Sequence, residues 1–283
     1  MERVIKIHSG KYTVENSEGE IYVCTARGNL KIKSDGVLTG DFVTTDNRVI
    51  TGVLPRKNKI SRPSVANVDC MAIVVADPPA PDFYLFDKLL SGAVLAGVTA
   101  VFVVNKADVS DETAKKIIEN YSSAASGIFV VSAESGEGVD KLADYLRDKL
   151  TVFTGQSAVG KTSLVNRLFG HNGRVGELSA KTNRGKQTTT VAEIVSGNGA
   201  KIVDTAGFTA YDLKLSPEKL KETYPEYAKL SRECYFADCV HVGEPDCAVK
   251  NAVASGNLSK QRYARYTELY KELKEKNVYG KIR

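Results

Sequence analysis

Between residues 11 and 53 the chain alternates polar and apolar positions in short runs. Lys11-Tyr12-Thr13-Val14-Glu15 and Glu20-Ile21-Tyr22-Val23-Cys24 flank a turn at Asn16-Ser17-Glu18-Gly19. Asp41-Phe42-Val43-Thr44-Thr45 and Val49-Ile50-Thr51-Gly52-Val53 make a second pair around Asp46-Asn47-Arg48. A period of two belongs to strands with one buried face, and Asn, Asp, Ser and Gly between such runs are turn formers. Asp35-Gly36 and Thr39-Gly40 break the middle. Short strands without a helical pattern predict a small five-stranded barrel over residues 1–65. The stretch Pro55-Arg56-Lys57-Asn58-Lys59-Ile60-Ser61-Arg62-Pro63 then reads as a basic linker, either a solvated connector or a nucleic-acid contact.

From residue 66 the texture changes. Cys70 to Ala76 is a continuous apolar run, as expected of a strand buried on both faces. Phe86 to Ala96 has helical spacing and Gly97 ends it. Thr99 to Val104 is the next buried strand, Ser110 caps a further helix, and Ile128 to Val131 is a third strand. Asp140 to Leu150 is helical, Thr151 to Thr154 is a strand, and Lys161 to Phe169 is a helix. Val191 to Val195 and Ala200 to Val203, joined by Ser196-Gly197-Asn198-Gly199, form an antiparallel hairpin. Strands alternating with helices imply a parallel sheet covered on both faces over 66–212. Residues 213–283 are helical and loop-like. Within Leu258 to Lys276 an aromatic face of Tyr263, Tyr266, Leu269, Tyr270 and Leu273 packs on its own domain. Lys260, Arg262, Arg265, Lys271 and Lys274 are expected on the remaining surface.

Composition narrows the class. At 283 residues, with 42% hydrophobic and 26% charged, the chain is that of an ordinary globular protein with room for two or three domains. No apolar run is long enough to span a bilayer. Met1-Glu2-Arg3-Val4-Ile5-Lys6 lacks a signal-peptide core, which predicts a cytoplasmic protein. A net charge of +5 allows a nucleic-acid partner without demanding one. Of the five cysteines, Cys24 and Cys70 sit in apolar stretches and read as buried thiols. The other three crowd into residues 234–247, which in such a compartment favours metal over a disulfide.

The chemistry-bearing motifs are those of a nucleotide switch, in a rotated order. Gly155-Gln156-Ser157-Ala158-Val159-Gly160-Lys161-Thr162 fits the phosphate-loop pattern between a predicted strand and a predicted helix, and Ser163 extends it into that helix. Glycines let successive N–H groups point at phosphates, and the helix N-terminus adds positive potential. Lys161 should reach the β- and γ-phosphates and Thr162 should ligate Mg²⁺. Asn105-Lys106-Ala107-Asp108 follows a buried strand, at the sheet edge where such folds bind ligands. A carboxylate at Asp108 accepts from the N1–H and exocyclic amine of guanine, a donor pair adenine lacks. Asn105 and Lys106 would brace the base, and Ser132-Ala133 can add backbone contact. Asp204-Thr205-Ala206-Gly207 follows the hairpin. Asp204 would hold the Mg²⁺ shell, and the Gly207 N–H would meet the γ-phosphate. In Gly185-Lys186-Gln187-Thr188-Thr189-Thr190 a hydroxyl is offered to Mg²⁺, from Thr189 or from Thr188.

The base reader thus precedes the phosphate loop, whereas in an ordinary GTPase it comes last. The fold class that follows is α/β, a circularly permuted P-loop GTPase domain. An N-terminal barrel of the oligonucleotide-binding type precedes it, and a C-terminal helical zinc-binding domain follows. Phe208 stands where many GTPases carry a water-orienting glutamine. Water must then be positioned by Gln187, by backbone of the Thr loop or by a partner, and the intrinsic reaction is expected to be slow. The candidate catalytic set is Lys161, Thr189, Gln187 and Gly207.

Cys234-x₄-Cys239-x-His241-x₅-Cys247 offers three thiolates and one imidazole within fourteen residues. That set satisfies tetrahedral Zn²⁺ with no open position, so the ion would be structural. His8 and His171 have no such company and read as surface residues.

With these motifs the chain resembles the small-ribosomal-subunit biogenesis GTPases called RsgA or YjeQ over nearly its whole length. The likeness includes Ala26-Arg27-Gly28, Ala66-Asn67-Val68-Asp69, the permuted motifs, and Cys239-x-His241-x-x-Glu244-Pro245-x-Cys247-Ala248-Val249. The resemblance implies GTP hydrolysis stimulated by the small ribosomal subunit late in its maturation, with GTP/GDP, Mg²⁺ and one Zn²⁺ as ligands and rRNA as partner. Members commonly read Gly-Arg-His-Thr-Thr where this chain has Gly185-Lys186-Gln187-Thr188-Thr189. Gln187 can orient water but cannot titrate near neutral pH. Two other readings compete: a zinc-dependent RNA-binding protein using GTP only as a structural or regulatory ligand, and an ATP-using phosphotransferase, against which Asp108 argues. Nothing demands a dimer, so a monomer is expected. In the permuted chain the segment from Phe208 to Lys214 leads straight into the zinc domain, so γ-phosphate contact with Gly207 would reorient that domain. The barrel is expected to join near Val68, away from the switch.

Overall fold

A computed structural model describes residues 1–28, 30, 36–170, 192–204 and 211–280. The N-terminal strands are β1 (Glu2–His8), β2 (Lys11–Glu15), β3 (Ile21–Ala26), β4 (Phe42–Asp46) and β5 (Val49–Val53). They run in the order β1-β2-β3-β5-β4, and β1 pairs with β4 to close the barrel. Side chains of Val4, Tyr12, Val14, Cys24, Val43 and Ile50 fill it. The sequence reading assigned no strand to Glu2–His8, the strand that closes it. Its apolar residues are adjacent rather than alternating because β1 serves two cores. Val4 points into the barrel, while Ile5 packs on the central sheet. The register shifts between Val4 and Lys6, as a bulge would make it.

The basic stretch after the barrel is neither a bare connector nor wholly exposed. Lys59–Ser61 (β6) and Ser64–Ala66 (β7) form a hairpin. Arg56 forks onto the buried Asp41 carboxylate, with Nε 2.7 Å from Oδ1 and Nη2 2.8 Å from Oδ2, and also donates to the Gly36 carbonyl. A bidentate pair of this kind fixes where the barrel ends.

The central sheet has β8 (Cys70–Val75), β9 (Thr99–Val104), β10 (Ile128–Val130), β11 (Leu150–Thr154), β12 (Glu193–Gly197) and β13 (Ala200–Asp204). Their order is β10-β9-β8-β11-β13-β12, parallel except for β12. Helices α1 (Phe83–Leu95) and α2 (Glu112–Tyr121) bury Phe86, Leu89, Leu90, Ile117 and Tyr121 on one face, against Ile73, Val75 and Phe102. Helices α3 (Val139–Leu146) and α4 (Lys161–Phe169) bury Leu142, Leu146, Leu164 and Leu168 on the other, against Val74, Val103 and Phe153. Each such side chain contributes roughly 1.5–3 kcal/mol. Several boundaries differ from expectation by a few residues, and those of α2 and α3 have visible causes. Asp111, not Ser110, occupies the N-cap of α2, although Ser110 Oγ does accept the Glu112 N–H. Helix α3 stops at Leu146, because Leu150 is needed in β11.

The connection near Val68 is not the barrel's sole link to the central sheet. Strand β1 pairs with β12, with Lys6 opposite Glu193 and their side chains 2.7 Å apart. Thr39 of the barrel also donates to the carbonyl of Ala192. One sheet therefore runs from the central domain through β12 into the barrel.

The C-terminal region holds a 3-10 turn (Pro217–Thr223), α5 (Pro225–Leu230), a second 3-10 turn (Ser231–Glu233), α6 (Ala248–Ala254) and α7 (Lys260–Gly280). Tyr266, Leu269 and Leu273 are buried with Tyr224, Tyr227 and Leu220, and Tyr263 and Tyr270 pack at the edge, so the aromatic stripe does face its own domain. Arg262 and Arg265, however, are not surface residues. Arg262 is 2% exposed and lies 2.8 Å from Glu226 and 3.7 Å from Asp87. Arg265 Nε lies 2.5 Å from the other Asp87 oxygen. Asp87 belongs to α1, so the pair of arginines docks the C-terminal region onto the central domain. Burial raises the Asp87 pKa against the pull of Arg262 and Arg265. Burial also disfavours the Arg262 charge, but Asp87 and Glu226 outweigh it and hold Arg262 above its ordinary value. Helix spacing cannot foresee this, because the partner carboxylate lies on an element far away in sequence.

A second contact flanks the first. Glu272 accepts from Tyr84 at 2.5 Å and pairs with Lys88 at 2.8 Å and with Lys276 at 2.8 Å. Burial pushes its carboxyl up, but bonds from Lys276, Lys88 and Tyr84 pull it further down, to about 2.

Two outcomes follow. Asp87→Ala removes the carboxylate that Arg265 pairs with and leaves Arg262 to Glu226 alone, and should lower stability by about 3–5 kcal/mol in denaturant unfolding. Glu272 has a depressed pKa, so its contribution is present above its ordinary 4.5 and is lost as pH falls towards about 2. The stability difference between parent and Glu272→Gln should be full above pH 4.5 and vanish at the acid end of that window, measured by unfolding across pH.

Candidate nucleotide site and metal centre

All the base and phosphate motifs that lie in described residues meet at one edge of the central sheet. Asn105 follows β9, Ser132 follows β10, the loop 155–160 follows β11, and Asp204 ends β13. These are the carboxyl ends of parallel strands, where loops are free of ladder bonding and can wrap a ligand.

Asn105 holds these loops together. It is 4% exposed. Its Nδ2 donates to the Val159 carbonyl at 2.9 Å, and its Oδ1 accepts the Ala133 N–H at 3.0 Å. One amide thus ties the base-reader loop to the phosphate loop and to Ser132-Ala133. Ser132 is buried, and its Oγ accepts the Ser135 N–H. Lys106 donates to Pro78 O at 2.6 Å and Ala158 O at 3.2 Å. Asp108 is exposed at the rim.

The phosphate loop depends on two glycines. Gly155 has φ +131 and a Cβ there would run into the Val74 carbonyl. Gly160 has φ +88 and a Cβ there would meet the Asn105 amide. Lys161 is 6% exposed and its Nζ donates to Gly155 O at 3.2 Å and Gln156 O at 2.7 Å. Burial pulls its pKa down, with Asp204 opposing. Thr162 Oγ1 donates to Asp204 Oδ2 at 2.9 Å, so the two groups expected around Mg²⁺ are neighbours. Ser157, Ala158, Thr162 and Ser163 are exposed, while Val159 is buried beneath them. Gln187, Thr188, Thr189, Gly207, Phe208 and His171 lie outside the described residues.

One contributor escaped the sequence reading. The loop Asp77-Pro78-Pro79-Ala80-Pro81-Asp82 leans on the site. Gln156 accepts the Asp82 N–H and donates to Ala80 O, both at 2.9 Å, and Asp82 caps α1 through the Leu85 N–H. Its signal was a proline-rich stretch directly after a buried strand, at the same sheet edge as the other motifs.

The predicted metal ligands also come together. The ligand atoms of Cys234, Cys239, His241 and Cys247 all lie within 4.8 Å of one another. His241 Nδ1 is 3.3 Å from Cys239 Sγ, 3.3 Å from Cys247 Sγ and 3.6 Å from Cys234 Sγ, and the Cys234 and Cys247 sulfurs are 4.0 Å apart. A tetrahedron with metal–sulfur bonds of about 2.3 Å and a metal–nitrogen bond of about 2.0 Å has S···N edges of about 3.5 Å and S···S edges of about 3.8 Å. The residues fit such an ion. Burial, with Lys221 nearby, lowers the His241 pKa to about 4, so the imidazole is neutral, as a ligand must be. Glu244, part of the same cysteine–histidine stretch, collects the N–H groups of Val240, Val242 and Gly243. Cys24 and Cys70 are buried free thiols, as expected. Among the described residues no helix is long and apolar enough to cross a membrane.

Comparison with known proteins agrees with this geometry. The chain matches the RsgA GTPase family over residues 53–214 and the RsgA N-terminal domain over residues 3–49. It is 37% identical to the small ribosomal subunit biogenesis GTPase RsgA of Thermotoga maritima over 95% of each chain. It is 38% identical to the protein of that name from Caldanaerobacter subterraneus, over 97% of this chain and 96% of the relative. Its fold superposes on the crystal structure of YjeQ from Thermotoga maritima with a TM-score of 0.79 at 35% identity, covering 96% of this chain and 99% of that one. YloQ, described as a circularly permuted GTPase, gives a TM-score of 0.77 at 27% identity over 97% and 95%. With the base reader ahead of the phosphate loop, and with these matches spanning nearly its full length, the chain belongs to the RsgA GTPase family of circularly permuted GTP hydrolases.

Proposed function

We propose that this chain binds the small ribosomal subunit and its rRNA, assists late maturation, and hydrolyses GTP faster when so bound. The observation that supports the guanine-nucleotide part of the reading is the pair of hydrogen bonds by which Asn105 ties the base-reader loop to Val159 of the phosphate loop and to Ala133. The relatives named for small-subunit biogenesis support the choice of partner.

In this reading Asp108 selects guanine, with Asn105, Lys106, Ser132 and Ala133 bracing the base. The N–H groups from Gly155 to Ser163 and the Lys161 ammonium neutralise the phosphates. Thr162 and Asp204, adjacent at 2.9 Å, hold Mg²⁺ with Thr189 or Thr188, and Gly207 meets the γ-phosphate. Gln187 or a ribosomal group orients water in place of the glutamine that Phe208 replaces. Zn²⁺ on Cys234, Cys239, His241 and Cys247 is structural. The units are a barrel over 1–65, a GTPase domain over 66–212 and a zinc domain over 213–283. The protein works as a cytoplasmic monomer. Movement of the zinc domain with nucleotide state would have to act across the Asp87–Arg262–Arg265 contact.

Intrinsic turnover should be roughly 10⁻⁴ to 10⁻² s⁻¹ and rise strongly with small subunits. GTP hydrolysis with and without small or large subunits, using Lys161→Ala as blank, tests this. Equal rates in every condition would remove the ribosome from the mechanism. Asp108→Asn should shift preference from guanine towards xanthine nucleotides in competition binding, because the amide can donate to a carbonyl at C2. Retained guanine preference would show that another group reads the base.

A further inference from the structure

We infer that Ser231 is a positioning residue of the metal centre: it holds the proton of His241 on Nε2 and so keeps Nδ1 bare to face the metal. The inference rests on reading Cys234, Cys239, His241 and Cys247 as a zinc site.

The two nitrogens of the buried His241 ring have different surroundings. Nδ1 faces the three sulfurs, while Nε2 lies 2.9 Å from Ser231 Oγ. A hydroxyl has one proton to donate and two lone pairs to offer. The Ser231 proton goes to the Tyr227 carbonyl, 2.9 Å away and one helical turn earlier. What Ser231 then presents to Nε2 is a lone pair, so Nε2 carries the hydrogen and donates it. A neutral imidazole has a single N–H, which leaves Nδ1 with its lone pair directed at the thiols. The opposite tautomer would point a hydrogen into the metal position and draw the Ser231 proton away from the Tyr227 carbonyl.

The backbone beneath the ring is held separately. His241 has φ +62, in the left-handed region. Tyr263 donates to the His241 carbonyl at 2.8 Å, Tyr266 to the Val240 carbonyl at 2.7 Å, and Glu244 collects the neighbouring N–H groups. With the loop fixed by these bonds, the remaining freedom is the ring's own rotation and tautomer, and Ser231 removes it. Ser231 sits at the start of the 3-10 turn leading to Cys234, so the same turn delivers one ligand and orients another.

In the full chain loaded with Zn²⁺, ¹⁵N NMR should show His241 protonated at Nε2 and metal-bound at Nδ1. Competition against a chromophoric chelator should show Ser231→Ala binding Zn²⁺ about 10–100-fold more weakly. Ser231→Thr, which keeps the hydroxyl, should restore the parent value. Nε2 found on the metal would overturn the inference without any variant. So would Ser231→Ala with parent affinity and unchanged ring signals. A parent chain that takes up no Zn²⁺ would instead overturn the metal reading itself.

Discussion

The amide of Asn105 is the constraint on which the candidate nucleotide site depends. Permutation separates the base-reading loop from the phosphate loop in the opposite sense to an ordinary GTPase, and only cross-strand bonding brings them together. Asn105 is placed by β9, a strand buried on both faces, and reaches across to Val159 and Ala133. The close approach is also why residue 160 is glycine, since a side chain there would occupy the space of the amide. Rotating the chain order leaves the sheet edge unchanged, because a parallel sheet presents all its carboxyl ends to one side whatever the order in which its strands are connected.

Helix α1 carries the consequences of that site outward. Its N-terminal loop is clasped by Gln156 of the phosphate loop, and its flank away from the sheet receives the C-terminal region through Asp87, Tyr84, Lys88 and Ser91. The metal loop is tied to the same assembly from the other side, since Tyr263 and Tyr266 hold its carbonyls and Arg262 and Arg265 lie on the same helix. The candidate metal site and the contact with α1 thus share α7. At the opposite end of the sheet, β1 gives the barrel its own hydrogen-bonded route into β12, just after the segment that carries the Thr loop.

Much of this was legible in the chain. Runs such as Cys70 to Val75 are apolar at every position because both faces of β8 are covered, and a continuous run reports that directly. The phosphate loop, the base reader and the cysteine cluster were readable because their chemistry demands particular residue types at short spacing. Strand β1 was not readable, because a strand shared between two cores loses its alternation. Arg262 and Arg265 were misplaced for a related reason. A charged residue beside an apolar stripe looks like a solvated one until its partner is known, and Asp87 lies on a helix whose own pattern gives no sign of it.

By itself, then, the sequence determined most of the local elements, the identity and order of the nucleotide motifs, and the cysteine–histidine set that could hold a metal ion. Each depends on chemistry within a few residues or on a period that burial imposes along one element. The tertiary structure decided the pairings across long separations: β1 with β12, Asp87 with the arginines of α7, Gln156 with the proline-rich loop, and Ser231 with the far nitrogen of His241. Those are choices among many sterically allowed partners. They are settled by which surfaces the fold buries together and by the need of each buried polar group for a hydrogen-bond partner.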